Sequence, residues 1–405
     1  MNSVQIAGII TEYNPLHGGH VHLMEETRRQ LGADSAILCV MSGNFVQRGD
    51  FALVSKYARA EAAVRSGADL VLELPLPWAV ASAERFADGG VQTLLSTGIV
   101  THLAFGSECG AAEPLIQLAG VLTGEAFSRR LREELSVGVS FAAARQRAAE
   151  ELTSPETAAL LRTPNNILGI EYCKSLLRHG STLKLLTVPR QGAAHDGAIA
   201  EGETPSASAI RSLIESGERE RALSLMAPAM ASAYAAEEAA GRAPVFAHTC
   251  ERAILARLRT MGETDFARLD EGREGLYRRV YAAARTAPSV AEVLARAKTK
   301  RYAYARLRRM VLWAYLGLAP DDCPAAPPYL RPLAANENGR GLLSQMRSTA
   351  SVPILTKPAA VRRMGPSAKA VFEWESRAAD LYALAYPDLA RAAGGQAWKE
   401  GPVMC

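Results

Sequence analysis

Ala7-Gly-Ile-Ile-Thr-Glu-Tyr-Asn-Pro-Leu-His17-Gly-Gly-His20 is the stretch on which the reading of this chain turns. It begins inside a short apolar run, Val4 to Ile10, that reads as a buried strand. Asn14 and Pro15 mark a turn, and His17 and His20 bracket Gly18 and Gly19. From Val21 to Leu31 the spacing becomes helical, with Leu23 and Leu31 apolar and Glu25, Glu26, Arg28 and Arg29 polar. The two histidines therefore sit where a strand hands over to a helix.

In open parallel sheets, ligands bind beyond the carboxyl ends of the strands. The unpaired N–H groups and positive dipole end of a helix start attract phosphate. Gly18 and Gly19 carry no side chain to hold a phosphate off the backbone. Two imidazoles about one helical turn apart can donate to neighbouring oxygens of one polyphosphate. A zinc pair or two surface histidines are the bland alternatives; zinc is disfavoured because no cysteine or third histidine lies nearby at ligand spacing, and no metal ligands are assigned.

Working outward, the first 110 or so residues alternate strand and helix patterns. Ser35 to Met41 is a second strand and Leu70 to Leu74 a third, with a helix from Val54 to Ser66 between them. Ala79 to Leu95 reads as one long Ala-rich helix, and Thr101 to Phe105 as a fourth strand. This order predicts right-handed crossovers and a parallel, Rossmann-like α/β sheet. Residues 111–160 read as a helical insertion, Leu183 to Val188 as a further strand, and Gln191 to Ser206 as a mobile loop rich in Gly, Ala and acidic residues. Three regions are expected: an ATP-binding α/β domain over 1–217, a helical region over 218–332, and a small mixed module over 333–405.

The 405 residues are 48% hydrophobic and 22% charged, an ordinary globular mix. Six scattered cysteines form no C-x-x-C pair, so reduced thiols are expected. No run approaches the ~20 apolar residues of a membrane span, and no basic leader opens the chain, so a cytoplasmic location is expected. Nothing points to a membrane or a protein partner.

Several polar residues fall at expected strand ends or helix starts. Ser42, Asn44, Gln47 and Arg48 follow the second strand. Ser55 is an expected helix cap, with Lys56 beside it able to reach a phosphate or simply be solvated. Gly106 ends the fourth strand, Asn165 and Asn166 open a helix after Pro164, and Arg190 ends a strand at the same sheet edge. Ser206, Ser208 and Arg211 form a second possible phosphate clamp. Late in the chain, Arg301, Arg306, Arg308 and Arg309 interleave with Tyr302 and Tyr304, a pattern that suits a nucleic-acid backbone or a solvated helix face.

Taken together, these stretches resemble one family, the bacterial tRNA(Met) cytidine acetate ligases, within the HxGH nucleotidylyltransferase-like superfamily. The resemblance rests on EYNPLHGGH (12–20), MSGNFVQRGDFALVSKYARAEAAVRSGADLVLELP (41–75), FGSE (105–108), PNNILGIEY (164–172), SASAIR (206–211) and RYAYARLRRMVLWAYLGL (301–318). LAANENGRGLL (333–343) and SVPILTK (351–357) extend it. Leu16 and Gly18 depart from the Phe and Asn expected there, while both histidines and Gly19 are intact.

The resemblance implies an ATP-dependent ligase. It would activate acetate as acetyl-adenylate; magnesium with the triphosphate is expected on chemical grounds only. The acetyl group would then pass to the exocyclic amine of the wobble cytidine of elongator tRNA(Met). His17 and His20 would be catalytic. ATP would be held by Ile10, Thr11, Glu12, Tyr13, Asn14, Pro15, Leu16, His17, Gly18, Gly19, His20, Val21, His22 and Leu23, with Gly106, one of Asn165 and Asn166, and Arg190. Ser42, Asn44, Lys56, Ser208 and Arg211 are further phosphate or acetate candidates. Arg301, Arg306, Arg308, Arg309, Arg340 and Lys357 are candidates for tRNA phosphates. Two other readings stay open: an adenylyltransferase acting on a small phosphorylated metabolite, and an RNA-binding protein with a degenerate nucleotide site.

Overall fold

The computed structural model of the chain describes residues 4–190 and 205–405, so the loop expected over 191–206 lies mostly outside the described residues. The first half alternates as expected. β1 (Ile6–Thr11) leads to α1 (Gly18–Leu31), and β2 (Ala36–Ser42) to a hairpin of β3 (Phe45–Val46) and β4 (Asp50–Phe51). Next come α2 (Lys56–Arg65), β5 (Leu70–Leu74), α3 (Leu76–Ala79), α4 (Ala83–Ser96) and β6 (His102–Ser107). Four helices form the insertion: α5 (Glu113–Thr123), α6 (Glu125–Ser136), α7 (Phe141–Leu152) and α8 (Pro155–Ala159). α9 (Pro164–Arg178) and β7 (Lys184–Pro189) close this half.

The sheet runs β7-β6-β1-β2-β5 with every neighbouring pair parallel. The chain leaves β1 toward β2 on one side and later returns to β6 on the other. The gap between β1 and β6 is therefore the topological switch point, where a ligand crevice opens beyond the carboxyl ends. Successive residues of the buried strands serve two cores. Ile6, Ile10, Leu38, Val40 and Leu72 pack under α4, α5 and α9. Ala7, Ile9, Ile37, Cys39 and Val71 pack under α1 and α2. Gly90 on α4 lets that helix lie on β1, since a Cβ there would stand 2.7 Å from Ile10 Cδ1.

The helix expected from Ala79 to Leu95 is broken. α3 ends at Ala79, Trp78 is buried, and the chain restarts after Ser82. A second departure is larger. β8 (Pro332–Ala335) pairs antiparallel with β5, and β9 (Val403–Met404) pairs parallel with β8. The last segment thus completes the same sheet instead of standing apart.

Between them lie α10 (Ala207–Glu215), α11 (Arg219–Leu225), α12 (Pro228–Ala239), α13 (Glu251–Thr260), α14 (Glu263–Ala267), α15 (Leu276–Thr286), α16 (Val290–Ala297) and α17 (Tyr304–Leu316). α18 (Glu337–Thr349) and α19 (Pro366–Ala383) follow. The helical core seats the β3–β4 hairpin: Phe45 and Phe51 are buried with Trp313, Tyr315 and Tyr382. Trp313 Nε1 donates to Val80 O at 2.7 Å, and Tyr382 Oη to Ala52 O at 2.8 Å. Gly49, at φ +77°, is the closest approach. A Cβ there would stand 2.5 Å from Arg309 N, so only glycine lets the hairpin rest on α17.

Candidate active site

The turn after β1 is tied down residue by residue. Tyr13 takes the left-handed region at φ +46°, which sends its side chain inward, where Oη lies 3.7 Å from Met24 Sδ and 3.4 Å from Cys39 Sγ. Asn14 Oδ1 accepts from Leu53 N at 2.7 Å and from Arg211 Nη1 at 3.2 Å. Leu16 is fully buried and anchors the approach to α1.

The histidines then do what Ser and Glu do in an ordinary capping box. His17 is the N-cap, and its Nδ1 accepts from Gly19 N at 3.2 Å. His20, at the third helical position, accepts the His17 backbone N–H on its own Nδ1 at 3.3 Å. The rings lie 3.9 Å apart, tilted by 36°. A neutral imidazole whose Nδ1 accepts carries its hydrogen on Nε2. The two caps therefore select, in both rings, the tautomer that presents a donor on Nε2.

Both histidines line a cavity of about 960 Å³. Ile10, Thr11, Glu12, Tyr13, Asn14, Gly19, His22 and Leu23 line it too; Pro15, Leu16, Gly18 and Val21 do not. Phe105, Gly106, Pro164, Asn165, Leu168 and Arg190 form the wall on the β6–α9 side. The opposite wall comes from the helical half, with Phe246, His248, Ile254, Leu294, Arg308, Val311 and Tyr315.

Glu108 organises the β6–α9 wall. Its Oε1 accepts from Asn165 N and Nδ2, its Oε2 from Asn166 N. Burial pushes this carboxyl up, but the hydrogen bonds from Asn165 and Asn166 outweigh it and hold it below the usual carboxylate range. Asn165 Oδ1 in turn accepts from Arg190 Nη1 at 3.1 Å. Asn166 turns away: it is buried, and its Oδ1 accepts from Glu108 N and Cys109 N. Asn165 is thus the asparagine that faces the cavity.

The β2 side is cationic. Arg48 lines the cavity with Nη1 at 3.4 Å from Ser208 Oγ, and Arg211 pairs with Asp50 at 3.1 Å. Arg59 lies beneath, fully buried, donating to the carbonyls of Glu12, Ser42, Gly43 and Val54. Burial draws its guanidinium down to about 10. This cation was missed in the sequence because an arginine on an Ala-rich helix reads as a solvated residue.

Other candidates fall elsewhere. Lys56 is buried with Nζ 2.7 Å from both Glu73 oxygens, so it is committed away from any phosphate. Asn44 caps α2 by accepting from Lys56 N, and Ser42 is fully buried; neither lines the cavity. Of the basic run, Arg306 and Arg309 pair with Glu271, and Arg301 and Arg306 with Glu274. Those two acids sit at positive φ on the turn before α15. These three arginines brace the helical half. Arg308 is exposed at the cavity, its guanidinium 5.2 Å from the Tyr304 ring centroid. Arg340 and Lys357 are exposed outside it, and among the described residues these last three make no ion pair.

A model of the HIGH nucleotidyl transferase family matches residues 4–397. The tRNA(Met) cytidine acetate ligase of Acetivibrio thermocellus is 36% identical, over 99% of this chain and all of its own. That of Syntrophomonas wolfei is 35% identical over 98% of this chain and 99% of its own. Among solved structures, apo Thermotoga maritima TmcAL superposes with a TM-score of 0.94 at 31% identity, covering 99% of both chains. The same protein bound with alpha-thio ATP gives 0.92 at 30%, again over 99% of both. A histidine-capped helix start at the switch point of a parallel sheet, matched over nearly the whole chain, places this protein in the HIGH nucleotidyl transferase family, among the tRNA(Met) cytidine acetate ligases.

Proposed function

We propose that this chain joins acetate to ATP as acetyl-adenylate and passes the acetyl group to the exocyclic amine of the wobble cytidine of elongator tRNA(Met). The observation that carries the reading is the pair of Nε2 donors at the start of α1, in a cavity whose far wall belongs to the helical half.

In the first step a carboxylate oxygen of acetate attacks the α-phosphorus and pyrophosphate leaves. The chemistry needs positioning and charge stabilisation rather than a protein nucleophile. His17 and His20 would donate to phosphate oxygens as negative charge builds on them. The first-turn N–H groups of α1, with Arg48 and Arg190, would hold the remaining charge. Asn165 and Gly106 would border the nucleoside. Magnesium would arrive on the triphosphate, whose oxygens suit it better than the arginine-paired Asp50 of this cavity.

For transfer, the cytidine must be splayed out of the anticodon stack to reach the adenylate. Arg308, at the cavity and clear of any ion pair among the described residues, is the basic residue best placed to meet the incoming RNA backbone. Arg340 and Lys357 would contribute from outside it. The test is incubation with ATP and acetate, with and without tRNA(Met). Expected are acetate-dependent pyrophosphate release and tRNA-dependent N4-acetylcytidine with AMP. A stable adenylylated metabolite formed from a phosphorylated acceptor would favour the adenylyltransferase reading instead.

A further inference from the structure

The family resemblance counts Glu12 in the ATP-holding stretch, but no step of acetate activation derived above uses its carboxylate. A carboxylate beside a triphosphate is electrostatically unwelcome, and acetate has no proton to surrender. Yet Glu12 is held in the cavity wall with care. Its backbone carbonyl accepts from Arg59, and the left-handed turn at Tyr13 sends the next side chain into the core while leaving Glu12 on the cavity side. Its Oε1 accepts from Gln47 N. Its Oε2 has no hydrogen-bond partner among the described residues. Facing the carboxyl are Arg48 from the hairpin, Arg59 from α2, Arg211 from α10 and Tyr172 from α9.

The second half-reaction does release a proton. The lone pair of a cytosine amine is delocalised into the ring, so the nitrogen becomes a useful nucleophile only as it loses a hydrogen. We propose that Glu12 Oε2 is the proton acceptor for that amine. The nitrogen bonds to the acetyl carbon, and the bond from that carbon to the phosphoryl oxygen breaks. AMP leaves with the electron pair, and the amine proton passes to Oε2 and then to water. By then pyrophosphate has gone, so the carboxylate faces a single phosphoryl charge flanked by three arginines. Burial, the largest influence, raises the carboxyl above its ordinary value, while Gln47 N–H and the arginines oppose this. A carboxylate of raised basicity is a better acceptor.

This role rests on the acyl-adenylate reading, and its test separates the two. With the full chain, acetate-dependent pyrophosphate–ATP exchange reports activation. Single-turnover acetylation of unmodified tRNA(Met) from preformed acetyl-adenylate reports transfer. Glu12→Gln keeps the shape and an acceptor for Gln47 N–H, so the fold should persist by thermal melting. Transfer should drop about 10²–10⁴-fold, at least about tenfold more than exchange. The wild-type rise of transfer with pH through the carboxyl range should vanish in Glu12→Gln and survive, at a lower rate, in Glu12→Asp. Equal losses in exchange and transfer would assign Glu12 to the nucleotide and overturn the proposal, as would undiminished transfer. Wild-type protein without acetate-dependent exchange would overturn the acyl-adenylate reading itself, and the role of Glu12 with it.

Discussion

Replacing His17 by Asn and His20 by Gln should leave the helix intact and abolish the chemistry. Both rings cap α1 through Nδ1, which leaves the hydrogen of each neutral ring on Nε2, and both residues line the cavity. Asn is a strong N-cap and Gln a normal partner at the third position, so the pair His17→Asn/His20→Gln rebuilds a conventional capping box without imidazole. Its stability should stay within about 1 kcal/mol of wild type, a Tm change of about 2–4 °C at most. His17→Ala, by contrast, leaves Gly19 N–H without its acceptor and should cost about 1 kcal/mol. In the exchange assay each lost Nε2 donor should lower the rate about 10²–10³-fold, or about 2.7–4 kcal/mol of transition-state stabilisation. His17→Asn and His17→Ala should therefore be equally inactive but unequally stable. If His17→Asn exchanged pyrophosphate like wild type, the histidines would be mere caps and the catalytic argument would fail.

Glu108→Ala should raise the KM for ATP more than it lowers kcat, because Asn165 and Arg190 lose their common anchor while the histidines keep theirs. Steady-state exchange kinetics would check this, and an unchanged KM would refute it. Gly49→Val, at φ +77° and 2.5 Å from Arg309 N, should cost at least about 1–3 kcal/mol in urea unfolding; a neutral result would mean that the hairpin does not rest on α17 as described. Glu375 lies in a buried cluster with Arg331, Glu73 and Lys56, and burial together with the Glu73 charge lifts its carboxyl from 4.5 to about 7. The folded state keeps this proton longer than the unfolded chain, so this group makes stability fall as pH rises from about 4.5 to about 7, by at most about 1.4 kcal/mol per pH unit. Glu375→Gln should flatten that decline, and an unaltered slope would show that the proton sits elsewhere.

The handover from β1 to α1 was legible because strand, turn and helix follow one another within one local stretch. The parallel sheet was legible for the same reason, repeated at each crossover. β8 was not: Pro332–Ala335 is four residues without alternation, and its partner β5 lies far back in the chain. The helical run gave Arg306 and Arg309 as free cations, because Glu271 sits over thirty residues away on a turn that no helical spacing announces. Lys56 misled in the opposite sense and Arg59 was passed over, both being charges on an Ala-rich helix that turn inward. Adjacent Asn165 and Asn166 carry the same chemistry in sequence. Glu108, reaching across from the end of β6, is what makes one face the cavity and the other cap the loop.

The antiparallel seating of β8 against β5 has an implication for how the protein comes into being. A nascent chain that has emerged only through β7 already carries the histidine box and the five parallel strands, yet it has a bare sheet edge and an open-sided crevice. α17 closes the crevice and β8 covers the edge, and both arrive a hundred or more residues later. If the acyl-adenylate proposal holds, synthesis order acts as a safety catch: a half-made molecule would have the histidine box but not the wall that would shelter a reactive anhydride from water. Fragments cut before residue 335 should aggregate through that uncovered edge rather than behave as a detached nucleotide-binding domain.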